Sequence, residues 1–100
     1  MGTARQDALN AVKVERQYQE LVQARNNEDP RAHSLGDWLI FIERQIVRAK
    51  DELYSLDSER VRHRMRKIAA LAVAAMETQG IRDRSTFDMS AMQEYLSTRP

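Results

Sequence analysis

The chain has 100 residues, 42% of them hydrophobic and 31% charged, which makes one small domain over 1–100, too apolar to be disordered and too polar for a membrane span. Three Gly, two Pro and no Cys argue for long helices over strands and turns, and exclude thiol catalysis, disulfides and cysteine-ligated zinc. Lys plus Arg total 16 against 15 Asp plus Glu, a net charge of +1, where a dedicated nucleic-acid binder carries a larger excess.

The start, MGTARQDALN, lacks the apolar stretch of a secretory signal, and Gln6 stands where a myristoylation pattern needs Ser or Thr. The longest apolar run is IAALAVAAM, residues 68–76. As a helix it rises about 14 Å, roughly half a bilayer core. The chain reads as soluble and cytoplasmic, with no membrane partner.

The first helix starts at Thr3, where Thr3-Ala-Arg-Gln6 has capping-box spacing. It runs to about Asn26, with an apolar stripe of Ala8, Ala11, Val12, Tyr18, Leu21 and Val22, and with Glu15 set on that stripe. Pro30 then breaks the pattern, because it has no amide hydrogen and disfavours helix at Asp29. Ser34 caps a second helix over about 35–54, with the Asp37 carboxylate in its positive first turn. The seam of that helix is Leu35, Leu39, Ile42, Ile46, Ala49, Leu53 and Leu56, spaced three and four apart after the first step. Ile40, Val47 and Tyr54 form a second stripe, and Trp38 and Phe41 widen the face. So broad an apolar arc predicts a central helix touching two neighbours.

After the turn at 55–58, a third helix runs to Gln79, with Gly80 as a left-handed stop. Its seam is Val61, Met65, Ile68, Ala72 and Ala75 or Met76. A short last helix begins at the Ser90-Ala-Met-Gln93 box and ends near Leu96. The fold class is all-α, an antiparallel bundle of three long helices plus a short C-terminal one. The pattern places Trp38, Leu39, Ile42, Ile46, Leu53, Met65, Ile68 and Ala72 in the core. Residues 68–76 carry no polar side chain on any face, so a homodimer is expected to complete the core, pairing that run with the surplus arc around Trp38 and Phe41. The competing cover is the last helix, folding back through Met89, Met92, Tyr95 and Leu96.

Two features could carry chemistry. Glu15, Glu43 and Glu77 stand one per helix beside apolar neighbours, and converging carboxylates hold magnesium together with water and substrate phosphates. The plainer reading pairs each with an arginine such as Arg16, Arg44 or Arg48. Arg60, Arg62, Arg64, Arg66 and Lys67 put five positive charges into eight residues, which suits a phosphate-bearing ligand or an acidic protein partner. The plainer reading there is pairing with Asp51, Glu52, Asp57 and Glu59. His33 and His63 lie thirty residues apart, without the further ligands that zinc needs, and His33 reads as a loop residue that caps or packs beside Trp38. With six aromatics in all, a base-stacking surface and nucleic-acid binding are not expected.

VKVERQYQ at 12–19, HSLGDWLIFIERQIVRA at 33–49 and MRKIAALAVAAMET at 65–78, in that order, resemble small phage and prophage-type helical proteins grouped as MazG-like. These are relatives of the all-α nucleotide pyrophosphohydrolases. The resemblance implies a helical fold and, in active relatives, an E-x-x-E helix followed by an E-x-x-D helix that hold magnesium against a nucleotide's phosphates. Here Glu43 stands for one member of the first pattern, but its partner position is Ile46, and the acidic positions of the next helix read His-Arg-Met-Arg-Lys at 63–67. The resemblance therefore implies the fold more than the catalysis. The leading expectation is a non-enzymatic binding protein with no cofactor. The alternative is a magnesium-dependent nucleoside triphosphate pyrophosphohydrolase, and the third is a DNA-contacting regulator acting through 60–67.

Overall fold

The computed structural model describes residues 2–82, 84 and 86–98, and among them every regular element is helical. The elements are α1 (Ala4–Arg25), a 3-10 turn (Pro30–Ala32), α2 (Leu35–Tyr54), α3 (Ser58–Gln79) and α4 (Thr86–Thr98). No helix among the described residues is long and apolar enough to cross a membrane.

Local chemistry sets the helix ends. At α1 the Thr3 hydroxyl accepts from the Gln6 amide while the Gln6 side chain accepts from the Thr3 amide. Ser34 and Asp37 repeat this reciprocal pair at α2. Both helices stop in the same way. The Glu28 amide reaches back to the Gln23 carbonyl and the Asn27 amide to Ala24. After α2, Asp57 reaches Glu52 and Leu56 reaches Leu53. These are Schellman closures, which need a left-handed residue in the middle. Asn27 serves at φ 55° and Leu56 at φ 59°. Asn tolerates that region, whereas Leu is strained there by roughly 1–2 kcal/mol. Leu56 is 91% exposed, so it belongs to the turn and not to the α2 seam. Leu56→Gly should hold or raise the melting temperature; a marked fall would refute the strain.

α3 is the central helix. It packs against α2 on one side and α1 on another, and the 3-10 turn also touches it. This corrects the expectation that α2 is central. The breadth of the apolar arc on α2 does not reflect two neighbours within the chain. α1 lies across α3: the adjacent Glu15 and Arg16 reach Arg66 and Glu77, points about 16 Å apart along a helix axis. Ala70 and Ala74, both fully buried, lie on the α3 face between those points, and their small side chains permit the close crossing.

Of the expected core, Trp38 is buried at 1% exposure, and Ile42, Ile68 and Ala72 are half-buried. Leu39, Ile46, Leu53 and Met65 are exposed, against expectation. The reason is the rotation of α2. It turns Trp38, Phe41, Gln45, Ala49 and Glu52 toward α3, which leaves the leucine stripe one step round the helix. α1 shows a similar offset. Val12, Glu15, Arg16, Gln19, Val22 and Gln23 are its covered side chains, while Ala8, Ala11, Tyr18 and Leu21 face outward.

α4 starts before the Ser90 box, at Thr86. Met92, Tyr95 and Leu96 are exposed, so this part of α4 covers no apolar face; the side chains of Met89 and Ser90 lie outside the described residues.

Candidate functional site

The most chemically elaborate place in the chain is the α1–α3 crossing. Glu15 and Arg16 are its buried polar residues, at 6% and 7% exposure. Arg16 donates from Nε to Glu77 Oε1 at 3.2 Å and from Nη2 to Oε2 at 3.1 Å. That is the two-pronged geometry in which a guanidinium best matches a carboxylate. Glu20 lies 3.9 Å from the same nitrogen. Glu15 accepts from Arg66 Nε at 2.9 Å. Arg66 Nη2 in turn contacts His63 Nδ1, which can accept only when the ring is neutral. Burial holds the His63 pKa below its ordinary 6.5, and the positive charges of Lys67 and Arg66 lower it further against the opposing pull of Glu15. A groove of about 840 Å³ runs alongside, lined in part by Lys13, Glu15, Tyr18, His63 and Arg66.

That depressed pKa has a direction. The native chain binds fewer protons at His63 than the unfolded chain, so stability rises with pH across the interval between the two values. The melting temperature should therefore fall as pH drops below about 6.5. His63→Asn should remove that fall; a profile unchanged in the variant would dismiss the His63–Arg66 contact as its source.

The three candidate carboxylates do not come together as a metal cluster. No group of three or more His, Cys, Asp or Glu among the described residues could hold a metal ion. Glu15 and Glu77 each sit against an arginine at the crossing. Glu43 is exposed on α2, beside Ile40, Arg44, Val47 and Arg48. Of Arg16, Arg44 and Arg48, suggested as partners for these acids, Arg16 is one, and Arg66 of the basic run is the other.

The basic run is largely paired. Arg60 meets Asp57 at 3.3 Å and Arg62 meets Glu59 at 2.6 Å. Arg64 is bound more deeply, donating to both Glu52 oxygens and to Gln45 Oε1 across the α2–α3 contact. Arg66 takes Glu15. Lys67 alone of the five has no hydrogen bond or ion pair among the described residues. Arg64 and Arg66 tie helices together, whereas Arg60 and Arg62 stay exposed and pair only with acids three residues back.

A third cluster surrounds the start of α2. His33, Trp38 and Phe41 meet edge to face, with centroids 4.9–5.7 Å apart. The His33 carbonyl accepts from Gln79 Nε2 at 2.7 Å, which fastens the loop to the end of α3. His33 thus packs beside Trp38 as its position suggested. The sequence marks both Arg16 and Glu52 as possible ion-pair partners, and both serve, Arg16 to Glu77 and Glu52 to Arg64; what it does not show is how deeply they are covered. The available signal was their helical spacing: Arg16 adjoins Glu15 on the inward face of α1, and Glu52 stands two turns beyond Gln45.

These contacts define a chain whose described elements are all helical, built round a central α3 and held by charged clamps. No protein-family model, no curated protein and no solved structure matches it.

Proposed function

We propose that this chain is a small non-enzymatic protein that acts by binding, on a MazG-like helical fold whose carboxylate site is degenerate. One observation carries the reading. A heptad-spaced seam on α2 is turned outward, with Leu35, Leu39 and Leu53 each about 60% exposed and Ile46 at 40%. A stripe with helix-pairing spacing and no helix against it is a binding face. Its partner is a protein with an apolar helical surface, first of all a second copy of the chain. Arg64 and Arg66 are committed to contacts between helices, which favours a protein over a phosphate-bearing ligand or DNA. The lack of cysteine suits work in a reducing compartment such as the cytoplasm.

The clamps also speak against the magnesium-dependent alternative. A cation entering at Glu15 or Glu77 would have to displace a guanidinium already seated there. Thermal-shift measurements across magnesium and a nucleotide panel test this. A ligand at 100 times its Kd stabilises by about 2.7 kcal/mol, and no such rise is expected. Selective stabilisation by magnesium plus a nucleotide, with hydrolysis lost in Glu43→Gln, would overturn the reading in favour of a pyrophosphohydrolase.

A further inference from the structure

We propose that α2 and α3 together form a two-fold interface with a second copy of this chain, centred near Ile46. The inference rests on the binding reading above and assigns it a face, a partner and a register.

Helix geometry supplies the face. Successive residues turn by about 100°. On α2, the residues that meet α3 centre on Trp38, Gln45, Ala49 and Glu52. Leu35, Leu39, Ile46 and Leu53 lie about 80° further round. On α3, Arg64 and Leu71 lie toward α2, and Met65, Ala72 and Met76 lie a similar step further round in the same sense. In antiparallel helices, steps of the same sense fall on the same side of the pair. Both stripes therefore face one way, opposite α1. Met65 at 60% and Met76 at 45% exposure extend the leucine surface across both helices.

The surrounding observations favour a second copy as the occupant. The chain exposes 8412 Å², where a compact folded chain of 11.6 kDa exposes about 5,800 Å². The excess of about 2,600 Å², part of it from the exposed α4, leaves room for the roughly 800 Å² per partner of a standard interface. The pattern is also self-complementary. A two-fold axis at Ile46 sets Leu39 against the partner's Leu53 and Ile46 against its own copy. The same axis brings Glu43 within a turn of the partner's Lys50. Glu43 and Lys50 flank the stripe, and neither has an ion pair among the described residues. The pairing surface expected from Trp38 is excluded, because that ring is already buried within the chain.

Sedimentation of the full-length chain reads the result. A dimer mass is expected at about 10 μM, the behaviour of a sub-micromolar Kd. Leu39→Asp should weaken association at least ~100-fold, since it places a charge in the shared core. Val14→Asp, on the exposed side of α1, should leave the dimer intact. Glu43→Lys should weaken the dimer, and adding Lys50→Glu should restore it. This pair keeps the test decisive if Leu39→Asp does not fold. A helical monomer at 100 μM overturns the second copy but leaves binding to a different protein standing. A dimer indifferent to both Leu39→Asp and the charge exchange overturns the face. The binding reading itself falls only to the magnesium and nucleotide result above.

Discussion

Trp38→Ala is expected to lower stability by about 3–5 kcal/mol, the range for emptying a buried tryptophan site. Trp38 is the largest fully buried side chain, and Ala70 and Ala74 are the other buried apolar residues among those described. No other single residue fills comparable volume. Its ring holds both Phe41 and His33 edge to face, so its loss also loosens the loop that Gln79 fastens to α3. Small domains rest on only about 5–15 kcal/mol, so the variant should lose a large share of its stability. Urea denaturation followed by circular dichroism measures this, and Trp38→Phe should recover a substantial part. A loss below about 1 kcal/mol would show that the anchor lies elsewhere.

Arg66→Ala should cost about 2–3 kcal/mol. Removing one member of a buried ion pair costs roughly 3–5 kcal/mol, and the 40% exposure of the Arg66 side chain reduces that through solvent screening. The damage comes from Glu15, which stays at the crossing with its charge and without its guanidinium. Adding Glu15→Leu should therefore recover most of the loss, because an apolar residue suits the buried site. The double-mutant cycle is read by the same denaturation curves. If Glu15→Leu gives no recovery in the Arg66→Ala background, the stranded-charge account is refuted.

The helices, their caps and the all-α class could be read from local signals. Thr3-x-x-Gln6 and Ser34-x-x-Asp37 are short-range chemistry, and both boxes form as their spacing indicates. Helix rotation could not be read in the same way. Periodicity shows that Leu39, Ile46 and Leu53 share a face, but it does not say whether that face meets α3 or something outside the chain. The buried partners Glu15 with Arg66 and Arg16 with Glu77 are separated by 51 and 61 residues, so no local pattern pairs them. Glu15 was conspicuous because it broke an apolar stripe. Arg16 is one of three arginines that the sequence suggests as partners for the glutamates, with Arg44 and Arg48, yet it takes Glu77 and leaves Glu15 to Arg66. The centrality of α3 was masked by its alanines. Ala70 and Ala74 contribute little hydrophobicity, yet their size lets another helix approach.

The crossing of α1 over α3 also bears on how the molecule comes apart. α2 and α3 are joined by a three-residue turn at 55–57 and meet through contacts near in sequence, which form fast and at low entropic cost. α1 reaches α3 only across a long separation, and its covered face is held by carboxylates and guanidiniums more than by apolar area. Of the three long helices it should be the first to detach. Amides of α1 should exchange with solvent deuterium earlier than those at the centre of α3, and added salt should widen that gap by weakening the clamps.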